Sequence, residues 1–179
     1  MNSISLKIKD TILDVIKRED EEMNNLHNKG IFFLPELAIT YLIGKELVRK
    51  SVEIFKSNIV NWYPEYSLGR GRPFDLVLIL ENDKKYVFEF KTRQTSESYI
   101  EDINKLHKLD SSEHEKYFCA FVDCFEKISP NDERITTVEN SCGTIIERVS
   151  EDNSFKIFKT KDHARVNQVV CVLGLWKIK

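Results

Sequence analysis

The chain has 179 residues, of which 41% are hydrophobic and 31% charged, and its net charge is −2. That is globular composition, so a wholly disordered chain is excluded, and the length suits one domain with its own core rather than two. A near-neutral balance gives no bulk attraction to nucleic acid, so a nucleic-acid partner would require cations gathered on one face.

Residues 5–27 are predicted to form a helix. Ile8, Ile12, Val15 and Ile16 make a narrow apolar stripe, Arg18 to Glu22 is a solvated charged run, and turn-rich residues 24–30 end it. Pro35 suits the first turn of a second helix running to about Ser57, with Leu37, Tyr41, Val48, Val52 and Phe55 at helical spacing and Gly44 as a weak interior position. A short aromatic strand over 61–66 leads into a loop with Gly69, Gly71 and Pro73. Residues 74–80 and 86–90 are apolar runs interrupted only by Asp75 and Glu89, and the segment between them reads as a hairpin turn. Being apolar on both faces, this pair is expected mid-sheet, covered on both sides. Residues 96–109 are predicted helical, with Ile103, Leu106 and Leu109 inward and Ser98 with Glu101 as a capping box. A strongly apolar strand follows over 117–125, then a loop at 130–133. Two weaker strands, 143–149 and 155–158, flank a polar turn at 151–153, and a last strand covers 169–178.

The whole reads as a single mixed α/β domain, 1–179, without repeats. No apolar run approaches a membrane span, and the N-terminus lacks the apolar region of a signal peptide. Cys119, Cys124, Cys142 and Cys171 contain no C-x-x-C pair. Reduced thiols, a cytoplasmic location and no membrane partner are therefore expected.

The chemistry lies in the hairpin. Glu89 and Lys91 are two residues apart on a strand and share a face. A loop of residues 81–83 sets Asp75 opposite Glu89, and a five-residue loop sets it opposite Lys91. Either puts all three groups on one face at one end of the hairpin, whereas a two- or four-residue loop turns Asp75 away. Ionisable groups beside Val77, Ile79 and Val87 incur desolvation unless they bind something. Two carboxylates suit Mg²⁺, which polarises a phosphodiester and acidifies a bound water, and an adjacent ammonium can orient that water or offset charge on the phosphate.

Pro73-Phe74-Asp75 followed by Glu89-Phe90-Lys91 resembles the PD-(D/E)XK nuclease superfamily, and the element order over about 32–125 is similar to its restriction-endonuclease-like αβββαβ core. On this likeness residues 5–27 form an added N-terminal helix and 143–179 a β-rich extension. The resemblance implies Mg²⁺-dependent cleavage of DNA, with Mn²⁺ as a substitute. Asp75 and Glu89 would be ligands and Lys91 would stand beside the attacking water. A further carboxylate from the preceding helix would be Glu36, with Glu46 the alternative, and Gln94 would assist. The match departs at Phe74, which separates Pro73 from Asp75. The Q-x-x-x-Y exonuclease pattern is missed by one residue, since Gln94 and Tyr99 are five apart.

Arg70 and Arg72 flank Gly71 just before Asp75, and suit a DNA backbone contact as well as they suit a soluble surface loop. Arg93, Lys105 and Lys108 would extend the same basic face. Trp62, Tyr63 and Tyr66 are read as packing beside the sheet rather than stacking on bases. His107, His114, Cys119 and Cys124 match no zinc spacing and are read as ordinary packing, and His163 as a solvated loop residue. The favoured function is a Mg²⁺-dependent DNA endonuclease of restriction or repair type, with a homodimer left open. The rivals are an idle-site nucleic-acid-binding module and an α/β interaction protein with no nucleic-acid partner.

Overall fold

The computed structural model describes residues 3–69, 71–124, 132–150, 155–161 and 168–179. Helix α1 (Ser3–His27) buries Ile8, Ile12, Val15 and Ile16, the expected stripe. A single 3₁₀ turn, Ile31–Phe33, leads to α2 (Glu36–Arg49) and α3 (Ser51–Phe55). The second helix is thus two, broken at Lys50, and Pro35 precedes it as the N-cap residue.

The buried face of α2 also differs from the expected one. Ile39, Ile43 and Leu47 are buried; of the expected stripe, Phe55 is buried in α3 and Val48 packs against the core, while Leu37, Tyr41 and Val52 are exposed. The cause is close packing at Gly44, where a β-carbon would stand 2.8 Å from the Trp62 ring and 3.0 Å from Leu76. Only the side of the helix carrying Gly44 can approach the sheet so nearly.

The strands β1 (Ile59–Tyr66), β2 (Phe74–Leu80) and β3 (Lys85–Thr92) form an antiparallel meander. Helix α4 (Ser96–His107) then crosses to β4 (His114–Cys124), which runs parallel to β3. The cap of α4 is Thr95, whose side chain accepts from the Ser98 amide, rather than Ser98 itself. Helix α5 (Glu133–Cys142) was not among the predicted elements. Strands β5 (Ile146–Arg148), β6 (Lys156–Lys161) and β7 (Gln168–Ile178) follow. The polar turn at 151–153 and His163 lie outside the described residues.

The sheet has seven strands in the order β1-β2-β3-β4-β7-β5, with β6 also paired to β7. The fold is therefore mixed α/β, and the C-terminal strands continue the sheet through the β4–β7 pairing. One apolar layer joins α1, α2 and α3 to Leu76, Leu78, Phe88 and Phe90. The other joins α4 and α5 to Val77, Val87, Phe118 and Val122. The central strands are covered on both faces, as their apolar runs require. Among the described residues, no helix is long and apolar enough to cross a membrane. The four cysteines are free thiols, and burial pushes the pKa of each one up.

Candidate active site

The β2–β3 turn fixes the register. Leu80 and Lys84 bracket a three-residue loop, and Asp83 takes a left-handed conformation (φ 62°) that closes it. The ladder then runs Ile79 opposite Lys85, Val77 opposite Val87 and Leu76 opposite Phe88. Continued by one pair, Asp75 meets Glu89. Here the strands part: the Phe90 amide donates to Asp75 Oδ2 at 2.7 Å instead of to a β2 carbonyl. Asp75 stands close enough to Glu89, at the diverging end of the hairpin, for its charge to act on that carboxyl.

Glu89 is 1% exposed. Burial, then the Asp75 charge, push its pKa up to about 9, although the Lys105 ammonium pulls the other way. Lys105 comes from α4, and its Nζ donates to Glu89 Oε1 and, at 2.6 Å, to the Pro73 carbonyl. It also stands 4.5 Å from the centre of the Phe74 ring. The single ammonium does not offset both the lost hydration and the neighbouring carboxylate.

Lys91, one turn of the pleat further on, pairs with Asp102 Oδ2 of α4 at 3.1 Å and with Glu36 Oε1 of α2 at 3.4 Å. Burial alone would lower its pKa, but Asp102 and Glu36 outweigh burial and hold it above the ordinary lysine value. Glu36 opens α2 and reaches round the strand end, where its Oε2 accepts from the Thr92 amide at 2.9 Å. Burial raises the Glu36 pKa, Lys91 partly offsets this, and Asp75 adds to it. Glu46, the alternative, lies ten residues along the helix, roughly 15 Å away, and is paired with Arg49.

Asp102 was missed in the sequence. Its signal was position: it lies three residues from both Tyr99 and Lys105 and beside buried Ile103, on the sheet-facing side of α4. Charges on a predicted helix are ordinarily assigned to solvent, which hid both Asp102 and the inward direction of Lys105.

The other expected residues divide. Arg72 and Lys108 are exposed and line a cleft of about 360 Å³ beside Lys105. Arg93 turns back instead, pairing with Asp123 at 3.0 Å and lying over the Phe32 ring. Gln94 is exposed between β3 and α4, and Arg70 lies outside the described residues. Trp62 packs on Tyr41, as expected, but Tyr63 and Tyr66 stack on each other at the surface rather than in the core. His107 and His114 bond to the carbonyls of Lys179 and Asp110. Cys119 and Cys124 fall in opposite apolar layers.

Asp75 and Glu89 supply hard oxygen donors suited to Mg²⁺ or Mn²⁺. Burial first, and then the Asp75 charge, raise the Glu89 pKa, and a cation bound between the two carboxylates would offset the second effect. Among the described residues no three His, Cys, Asp or Glu side chains are already gathered for one. Glu36 is turned to Thr92 and Lys91, so it would have to rotate to become a third ligand. Comparison with protein families, curated proteins and solved structures yields no match for this chain.

Proposed function

We propose that the chain is a divalent-metal-dependent nuclease that hydrolyses DNA phosphodiester bonds, an endonuclease of restriction or repair type built on a PD-(D/E)XK-like core. One observation carries this reading. Four carboxylates, Glu36, Asp75, Glu89 and Asp102, linked to one another through Asp75, Glu89 and Lys91, face two ammonium groups among the described residues, Lys91 and Lys105. Fully ionised, the cluster lacks two positive charges, the charge of one Mg²⁺. With α3 taken as the end of the helix that α2 begins, the order α2–α3, β1, β2, β3, α4, β4 supports the same reading, because it is the order the sequence resemblance implies.

In this mechanism Asp75 and Glu89 would hold the metal. A divalent cation in such a site polarises the phosphodiester and lowers the pKa of a water. Lys91 is held from two sides by Asp102 and Glu36, so its ammonium is oriented before substrate arrives. Its Nζ donates to Glu36 and forms an ion pair with Asp102, so donor capacity remains for the attacking water or a phosphate oxygen. Glu36 keeps that lysine in place and stays available as an auxiliary ligand. Arg72 and Lys108 offer cations to the DNA backbone beside the site.

The second reading, a nucleic-acid-binding module with an idle site, is favoured by the internal pairing of both lysines. The deciding experiment incubates plasmid, linear duplex and single-stranded DNA with Mg²⁺, Mn²⁺ or EDTA, using wild type and Lys91→Ala. Cleavage that needs metal and is lost in the variant is the expected result. Binding without cleavage by wild type would favour the idle-site module. Equal cleavage by both proteins would remove Lys91 from the chemistry.

A further inference from the structure

The two ammonium groups of the site are held very differently. Lys91 is clasped by carboxylates from α2 and α4. Lys105 has one carboxylate, Glu89, and one neutral partner, the Pro73 carbonyl. Its Nζ sits against Oε1, one of the two oxygens through which Glu89 could hold a metal, and the Glu89 side chain is only 2% exposed. A metal and an ammonium at one carboxylate would be a few ångströms apart and strongly repulsive in so dry a place. One cation has to leave, and the lysine is the monovalent one on a flexible stem.

The surroundings supply a destination. Lys105 also lines the adjoining cleft, together with Arg72, Lys108, the two glycines Gly69 and Gly71 and three apolar side chains, and no carboxylate is among the described lining residues. Gly69 and Gly71 have φ of 110° and 144°, and nothing stands within 4 Å of where their β-carbons would be. That open, cationic, glycine-edged surface has the chemistry of a phosphate site.

We propose that Lys105 is an exchangeable internal cation: its ammonium occupies Glu89 while no metal is bound, and a divalent cation displaces it into the cleft, where it joins Arg72 and Lys108 in binding a phosphate. The inference rests on the metal-dependent reading above and deepens it. It makes metal and phosphate binding mutually reinforcing, since each ligand stabilises the lysine position the other requires. Lys105 is thus a positioning residue that couples the two.

The test measures acylation of individual lysines by an amine-reactive ester, read by peptide mass spectrometry with Lys108 as internal reference. Metal binding is followed separately by calorimetry with Mg²⁺ and Mn²⁺. In EDTA, Lys105 should react several-fold more slowly than Lys108, and metal should raise its rate toward that of Lys108. In Glu89→Gln, Lys105 loses its anionic partner, so it should react fast in EDTA and show no metal response, with circular dichroism confirming the fold. If metal binds but Lys105 reactivity stays flat or falls, the exchange is wrong while the nuclease reading survives. If neither metal binds at all, both are overturned.

Discussion

The carboxylate of Asp75 accepts the Phe90 amide hydrogen at 2.7 Å, taking over where the backbone ladder between β2 and β3 stops. One oxygen of Asp75 therefore has a structural duty, and the other is left for a ligand. Asparagine keeps an acceptor for the amide but loses the charge. Asp75→Asn should fold with nearly wild-type stability and lower metal-dependent cleavage by more than about 100-fold, beyond the 10–100-fold typical of an outer-shell partner. Asp75→Ala should lose activity equally and also about 1 kcal/mol of stability, for the orphaned amide. Denaturant melts of both variants separate the two roles. Equal stability of the pair would mean that the Asp75–Phe90 bond contributes nothing.

Glu89 makes stability depend on pH with a definite sign. Its folded pKa, about 9, lies above its ordinary value of 4.5. The folded state then binds the proton more tightly than the unfolded state. The resulting stabilisation is complete below about pH 4.5 and is lost as pH rises through about 9. Glu36, also raised, acts in the same direction. In EDTA the Tm should fall steadily between roughly pH 5 and 9, by about 2–4 °C for each kcal/mol lost in a chain of this size. Mg²⁺ should restore most at the alkaline end, where no proton competes for the site. Glu89→Gln should flatten the profile, and a flat wild-type profile would contradict the buried-carboxylate account.

Lys91 should reveal a structural duty besides its chemical one. Lys91→Met leaves Glu36 and Asp102 facing each other, both partly buried and without the ammonium between them. Discounted for partial exposure, the loss is roughly 1–3 kcal/mol. It should be larger at pH 8 than at pH 5, because acid lets a carboxylate take up a proton instead. Adding Asp102→Asn should recover part of the stability and none of the cleavage. A double variant that regains cleavage would show that Lys91 only balances charge.

The hairpin was legible because its chemistry is local. The choice among loop lengths was between parities, and Asp83 in the left-handed conformation selects the three-residue loop that sets Leu76 across from Phe88, with Asp75 and Glu89 next beyond the ladder. What α2 and α4 contribute was less legible. The row Leu37, Tyr41, Val52 has helical spacing, yet contact with the sheet goes to the row beside Gly44. Two overlapping cap signals open α4, and Thr95 is used rather than Ser98. Helix α5 carries Thr136, Thr137 and Val138 in its middle and buries only Ile135, Val138 and Cys142, too thin a stripe to stand out from a loop. Asp102 and Lys105 look like solvent charges in a helix taken alone, and become site residues only when β2 and β3 supply Glu89 and Lys91 to meet them.

Arg72 provides the cleanest separation of DNA binding from catalysis. It is exposed, lines the cleft beside Lys105, and belongs to the glycine loop that precedes β2. Removing it disturbs no buried packing, so Arg72→Ala should melt like wild type. Duplex binding in EDTA should weaken by about tenfold, ~1.4 kcal/mol. The slope of log K against log salt should shrink by about one, as one phosphate contact fewer releases one counterion fewer. Metal affinity measured without DNA should stay nearly constant, because among the described residues no hydrogen bond or ion pair joins Arg72 to Asp75 or Glu89. Asp75→Asn should show the opposite pattern: cleavage lost, while binding in EDTA is kept or slightly strengthened by the removal of a negative charge near phosphate. An idle-site module would show the Arg72 effect with no cleavage by wild type, and an interaction protein with no nucleic-acid partner would show neither. If Arg72→Ala leaves affinity and salt slope unchanged while wild type still binds and cuts, the DNA backbone takes another path and the cleft beside Lys105 is not part of it.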